Sequence, residues 1–236
     1  MAILEAIDII KQYNVYDGVV TAVNRSSMSV EDGEFVAIMG TSGSGKSTFI
    51  NICAGLDRPN SGSVFVGGTD ITHMRDDELA RWRGKNVGFV FQSYKLIPYL
   101  TAYENIIMPL NASDRKKEKH EERLKMLIKS LNLGDRLTHL PSELSGGQQQ
   151  RVAIARALVH YPRIFFADEP SGNLDRKSAD ELLELLLELN KTLNQTMIIV
   201  THDFSIAERS DRVLCMEDGK LRPMPKGKLF DSKNNI

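Results

Sequence analysis

The chain has 236 residues, 42% of them hydrophobic, enough for one substantial core or two small ones. Its formal net charge of −1 gives no electrostatic ground for a nucleic acid partner. No apolar run approaches the ~18 residues of a membrane span, Met1 to Glu5 lacks the start of a signal peptide, and Cys53 and Cys215 sit in apolar segments as buried free thiols suited to a reducing compartment.

The alternating bursts Ile7-Asp8-Ile9-Ile10 and Met28-Ser29-Val30 predict antiparallel strands near the N-terminus. Phe35-Val36-Ala37-Ile38-Met39 predicts a buried strand, and the apolar pattern after Ser47 predicts a helix. Between them runs Gly40-Thr41-Ser42-Gly43-Ser44-Gly45-Lys46-Ser47-Thr48, with the spacing of glycine, four residues, glycine, lysine and hydroxyl that cradles a nucleoside triphosphate. Glycines let backbone N–H groups close around phosphate oxygens, and the helix start adds a positive dipole end. Lys46 is then expected on the β and γ phosphates and the Ser47 hydroxyl on Mg²⁺.

Ser63-Val64-Phe65-Val66 predicts a further antiparallel strand after the turn Pro59-Asn60-Ser61-Gly62. The strand at 87–91 is followed by Gln92, and a helical insertion follows from about Ser93 to Ser142. Within that insertion the mixed charges of 114–123 read as a solvated helix face, followed by Leu124, Leu127, Ile128 and Leu131 at helical spacing. Leu144-Ser145-Gly146-Gly147-Gln148 precedes a helix at 149–159 and offers either a second anion site or an ordinary helix cap. Strands at 164–167, 197–200 and 213–216 alternate with helices, Leu182, Leu183, Leu186 and Leu189 marking the one at 176–193, so the sheet is expected to be largely parallel. The stretch from about Lys220 reads as a tail.

In such a sheet, ligands sit beyond the carboxyl ends of the strands. Asp168 and Glu169 end one strand there: Asp168 suits Mg²⁺ and Glu169 an attacking water, the alternative being two solvated acids at a strand end. His202 ends another, where it can donate to a γ-phosphate oxygen or serve as an ordinary polar residue. Gln92 could contact the metal or the water.

Taken in order, the phosphate loop, Gln92, Leu144 to Gln148, Asp168-Glu169, Ser171-Gly172-Asn173-Leu174-Asp175 and His202 resemble the ATPase subunit of an ABC (ATP-binding cassette) transporter, over about residues 4–221. Gly33 to Gly40, Leu144 to Leu158 and Ala167 to Asp175 look most like the branch of macrolide exporters, lipoprotein-release complexes and antimicrobial-peptide transporters. The resemblance implies an α/β, P-loop (RecA-like) fold with a largely parallel core, an N-terminal antiparallel β layer and an inserted helical subdomain. A single ATP-binding domain would span 1–221, with the β-rich layer at about 1–32 and 60–86, the core at about 33–59, 87–92 and 150–221, the helical subdomain at about 93–149, and a tail at 222–236.

It also implies residue roles. Tyr13, with Tyr16 as competitor, would stack on adenine, while Gly40, Ser42, Gly43, Ser44, Gly45, Lys46, Ser47 and Thr48 bind phosphates. Ser47, Gln92 and Asp168 would serve Mg²⁺, and Gln92 would link the metal site to the membrane partner. Glu169 would be the general base, oriented by His202, and Asp175 would lie across a dimer interface. Ser145, Gly146, Gly147 and Gln148 would meet the ATP held by a second copy of the chain. Separate transmembrane permease subunits would hold this cytoplasmic chain at the inner face of the membrane, and export or extraction would be the direction. Departures from the branch are small: Thr41 stands where proline is frequent, and Tyr94 and Tyr99 flank a loop, either filling the subdomain core, the favoured reading, or marking a partner surface. A regulatory ATPase of cell division remains a rival; a soluble DNA-repair ATPase would carry long heptad arms, and a ribosome-associated one would carry two cassettes.

Overall fold

A computed structural model of the chain describes residues 2–16, 18–112 and 117–225. Residues 114–116 of the charged run and residues 226–236 of the tail lie outside the described residues. The chain opens with a long hairpin, β1 (Ala2–Val15) and β2 (Gly18–Glu31), and continues into β3 (Phe35–Met39), from which it enters α1 (Lys46–Cys53). Then come β4 (Ser61–Val66), β5 (Thr69–Asp70), α2 (Asp76–Asn86) and β6 (Val87–Val90). Next are α3 (Ala102–Ile107), α4 (Lys117–Ser130) and α5 (Gly146–Leu158), then β7 (Ile164–Asp168), α6 (Arg176–Leu193) and β8 (Thr196–Val200), and finally α7 (Phe204–Arg209), β9 (Arg212–Glu217) and β10 (Lys220–Pro223).

Two sheets result. An antiparallel one has the order β2-β1-β4-β5, and a larger one the order β10-β9-β3-β8-β7-β6, parallel except for β10 at its edge. Strands of the second sheet alternate their side chains between two cores. Val36, Ile38, Phe166, Ile198 and Val200 face the antiparallel sheet and enclose Phe49, Ile50 and Ile52 of α1. Phe35, Phe165, Ala167, Met197 and Ile199 face α5 and α6, where Val152, Ala155 and Leu158 meet Leu182, Leu183, Leu186 and Leu189. Burial on both faces is why these strands read as continuous apolar runs.

The structure departs from expectation in several places, three of them in the scaffold around the site. The segment 60–86, read as part of the β-rich layer, carries strands only to Asp70 and then forms α2; its acids lie in the first turn and its bases in the last, an order the helix dipole favours. The tail begins later than Lys220, because β10 pairs with β9. Cys215 is only partly buried, whereas Cys53 is enclosed, its thiol pushed up by desolvation.

The joint between α5 and β6 depends on a neutral histidine. His160 Nε2 meets the Val87 carbonyl at 3.2 Å, its Nδ1 is buried with no hydrogen-bond partner among the described residues, and burial pushes its imidazole down to about 4, with Arg123 and His120 nearby adding to the effect. An unfolded histidine titrates near 6.5, so between those two values the unfolded chain binds the extra proton and stability falls as pH falls. The loss amounts to roughly 3 kcal/mol by pH 4. Melting temperature should therefore drop between pH 7 and pH 4.5, and less steeply in His160→Gln, whose amide can still donate to Val87. An unchanged slope in that variant would remove His160 as the cause.

Candidate functional site

Four adjacent parallel strands end at one edge of the larger sheet. Register pairs Ile38 of β3 with Val200 of β8, Val200 with Asp168 of β7, and Ala167 with Val90 of β6. The residues that follow these ends are therefore neighbours: the phosphate loop after β3, His202 after β8, Asp168-Glu169 on β7, and Gln92 beyond β6.

The loop has the conformation its glycines permit. Gly40 and Gly45 have φ of 150° and 101°, and a Cβ on either would stand 2.3 Å from the Met216 carbonyl oxygen or 2.0 Å from that of Ala22. Lys46 is buried and curls back, its Nζ donating to the carbonyls of Gly40 at 2.9 Å and Thr41 at 2.8 Å. Ser44 Oγ is buried with no hydrogen-bond partner among the described residues. A lysine held on loop carbonyls and an unpartnered hydroxyl are groups that phosphate oxygens would satisfy.

Ser47 Oγ donates to Asp168 Oδ1 at 3.0 Å, so hydroxyl and carboxylate oxygens meet across the α1 start, a donor set that suits a hard cation such as Mg²⁺. Burial raises the Asp168 pKa, as does the like charge of Glu169, against the Ser47 hydrogen bond and the Lys46 ammonium. Glu169 adopts the left-handed region at φ 46°, and its Oε2 lies 3.0 Å from His202 Nδ1. Gln92 closes the group: a Cβ at Gly172 would be 3.3 Å from Gln92 Nε2 and 3.5 Å from Glu169 Oε2. A half-buried carboxylate, a second one paired to an imidazole and an adjacent amide can hold a cation and take a proton from water.

Tyr13 belongs to the same neighbourhood and Tyr16 does not. Burial and the Asp57 carboxylate raise the Tyr13 pKa, while the Thr48 hydroxyl, in the first turn of α1, acts in the opposite sense; Tyr16 is fully exposed at the hairpin tip.

The start of α5 lies apart from this edge. Ser145 Oγ accepts from the Gln148 amide at 3.3 Å and Gln148 Oε1 accepts from the Ser145 amide at 2.9 Å, a closed capping box that starts the helix three residues before the expected 149. A cavity of about 250 Å³ beside it is lined by Ser145, Gly147, Gln148, Asn132, Arg151 and Glu181 among others, none from the phosphate loop. Asp175 caps α6, both carboxylate oxygens holding Ser178, which keeps its pKa low. The Tyr94 hydroxyl lies 3.3 Å from where a Gly146 Cβ would be and the ring packs on the core, whereas Tyr99 is 78% exposed; the core reading of both tyrosines therefore fails for Tyr99.

Three connections escaped the sequence reading. Asn173 Nδ2 donates to the Gln92 carbonyl at 2.9 Å. Buried Arg156 donates from both terminal nitrogens to the Tyr94 and Lys95 carbonyls at 2.7 Å, joining α5 to the turn after Gln92. Asp57 holds Tyr13, as developed below. A lone charge between Ala155 and Ala157 was the available signal for Arg156; the others left none.

The family model described as ABC transporter matches residues 23–172. The lipoprotein-releasing system ATP-binding protein LolD of Cytophaga hutchinsonii is 46% identical over 217 residues, covering 92% of this chain and 97% of that protein. The macrolide export ATP-binding/permease protein MacB of Syntrophobacter fumaroxidans is 43% identical over 228 residues, 94% of this chain and 32% of its own length. Among solved structures, a dimeric post-hydrolysis state of the ATP-binding cassette MJ0796 of Methanocaldococcus jannaschii, bound to ADP and Pi, aligns with a TM-score of 0.86 at 38% identity, covering 94% of this chain and 98% of that one.

Proposed function

The chain belongs to the ABC transporter family as an ATP-binding, ATP-hydrolysing subunit, and from that premise we propose that two copies close head to tail on two ATP molecules and so drive a membrane-embedded permease. The observation that carries this reading is the convergence of Lys46, Ser47, Asp168, Glu169, Gln92 and His202 on one sheet edge, while a second helix start, that of α5, borders a separate cavity with no phosphate-loop residue in its lining.

Gly40 to Thr48 wrap the phosphates, with Lys46 leaving its loop carbonyls for the β and γ oxygens. Ser47 and Asp168, with Gln92 at the side, hold Mg²⁺, whose charge offsets that of the phosphate oxygens. Glu169 takes the proton of the attacking water, and His202, paired with it, orients the carboxylate toward the γ-phosphate. Tyr13 stacks on the base. Ser145, Gly146, Gly147 and Gln148 complete the ATP site of the other copy, and Asp175 carries the state of one site to the next. Each ATP then touches both copies, so binding favours closure and hydrolysis removes the preference.

The permease docks beside Gln92. A groove there is lined by Leu56, Phe89, Phe91, Met108 and Pro109 together with the basic residues Arg83, Lys95 and Arg156, and Tyr99 is exposed nearby in sequence. On this reading the chain sits on the inner face of the membrane through its partner; among the described residues no helix is long and apolar enough to cross it. By analogy with what LolD and MacB are named for, the cargo is a lipid-linked or otherwise amphiphilic molecule released or exported from the membrane.

Polypeptides copurifying with the tagged chain from gently solubilised membranes should include an integral membrane protein, lost in Tyr99→Glu with the melting temperature unchanged. Recovery of soluble partners alone would overturn the transport reading. A large fall in melting temperature with the partner retained would withdraw Tyr99 from docking.

A further inference from the structure

Tyr13 stands near the end of β1, opposite Val20 of β2, on a hairpin whose described tip residues Val15, Tyr16, Val19 and Val20 are all exposed. An aromatic ring on such a strand turns freely unless something outside the hairpin holds it. The segment that follows α1 does so. Its Asn60 amide donates to the Ile10 carbonyl at 2.8 Å, and Asn60 Oδ1 accepts from the Gln12 amide at 2.7 Å, tying this turn to β1.

Asp57 lies inside that turn and commits both carboxylate oxygens to the hairpin. Oδ1 accepts from Lys11 Nζ at 2.7 Å, and Oδ2 accepts from the Tyr13 hydroxyl at 2.8 Å. Lys11 Nζ also donates to the Arg58 carbonyl at 2.7 Å, and it sits 5.0 Å from the centroid of the Tyr13 ring, over one face. The ring is thus fixed at its hydroxyl and covered on one side, while its remaining surface stays open; Tyr13 is 40% exposed. Burial pushes the Asp57 carboxyl up, but the hydrogen bonds from Lys11, Tyr13 and the Arg58 amide together hold it below the usual range, so it is ionised near neutrality.

We infer that Asp57 is a positioning residue for nucleotide recognition, setting the Tyr13 ring so that its open face meets the purine of an ATP gripped by the phosphate loop. The inference rests on the assignment of Tyr13 as the base-stacking aromatic. Its physical basis is that α1 starts at the phosphate loop and leads within a few residues to Asp57. One short rigid element therefore fixes the distance between the phosphate grip and the base platform, and the ordering of the ring is complete before the nucleotide arrives.

The test compares calorimetric affinities of the full chain for Mg²⁺-ATP and for Mg²⁺-tripolyphosphate, which has no base. Asp57→Ala should weaken ATP by roughly five- to tenfold, part of what a base–aromatic stack contributes, and leave tripolyphosphate unchanged. The loss should vanish in a Tyr13→Ala background, because the two residues act as one unit. Should Asp57→Ala fail to fold, Tyr13→Phe keeps the ring, removes only the hydroxyl contact and should show the same selective loss. Equal losses for both ligands, or an undiminished loss in the Tyr13→Ala background, would reduce Asp57 to a structural tie and overturn the inference. If Tyr13→Ala weakens ATP selectively while Asp57→Ala and Tyr13→Phe do not, stacking stands and the positioning role falls. If Tyr13→Ala leaves ATP affinity intact, the stacking assignment itself fails and takes the inference with it.

Discussion

Glu169→Gln should bind ATP as tightly as the wild-type chain and turn it over at least on the order of a hundredfold more slowly, the loss expected when a general base is removed. The substitution is conservative where it needs to be. Glutamine keeps the length of the side chain and a hydrogen bond to His202, now 3.0 Å from Glu169 Oε2, and it meets the same backbone demand at φ 46°. What it loses is the capacity to accept a proton from water. In the proposed site phosphate binding rests on other groups, Lys46, now held on the Gly40 and Thr41 carbonyls, and the glycine loop, so affinity should hold.

The consequence for assembly is larger than the chemical one. If ATP favours the closed pair of subunits and hydrolysis is the event that releases it, a chain that binds without hydrolysing accumulates as a dimer. Size exclusion with light scattering should therefore give about twice the monomer mass for Glu169→Gln in ATP and the monomer mass without it. Turnover at the wild-type rate would exclude Glu169 as base. A monomer at saturating ATP would count against the closing dimer, whatever the fate of Glu169.

These expectations were legible in the sequence to the extent that the chemistry sits at strand ends. β3, β7 and β8 are buried on both faces, so each reads as an unbroken apolar run, and the polar residue that interrupts the run marks the edge where a ligand sits. Asp168, Glu169 and His202 are placed on that edge by this pattern, and the structure puts them there as neighbours. α2 was not found, because Leu79 is its one buried residue and no apolar period betrays it. The start of α5 was set three residues late, since two glycines are poor helix formers and the capping box outweighed them. The Asp57–Tyr13 contact joins residues 44 apart through side chains, and cross-element pairing of that kind leaves no local pattern to read.

The start of α5 also carries the most decisive remaining test. Within one chain the capping box accounts fully for Ser145 and Gln148, so helix capping and ATP contact are not exclusive readings of those residues. The cap takes the amides of Ser145 and Gln148 and leaves over those of Gly146 and Gly147, the next donors at the helix start. Gly147 is the informative position. A Cβ there would find nothing nearer than Ser178 Oγ at 4.0 Å, so its own chain does not require a glycine. Gly147→Glu adds a carboxylate in the first turn, where the helix dipole favours it, and the isolated subunit should melt no lower than wild type. Facing a triphosphate from another subunit, the same carboxylate repels it, and hydrolysis by the homodimer should fall to near background.

The arrangement across subunits follows from mixing this variant with Lys46→Ala, which should lose most ATP affinity. In a linked dimer carrying one substitution in each half, a site shared between subunits gathers both defects at one nucleotide and leaves the other site intact, so about half of the activity should survive. If each chain used its own α5, both sites would be damaged and none would survive. A linked dimer of wild type with Lys46→Ala serves as the reference for coupling between sites. Should that reference hydrolyse ATP while the doubly substituted dimer does not, the contact across subunits is wrong, and the amides of Gly146 and Gly147 must serve their own chain.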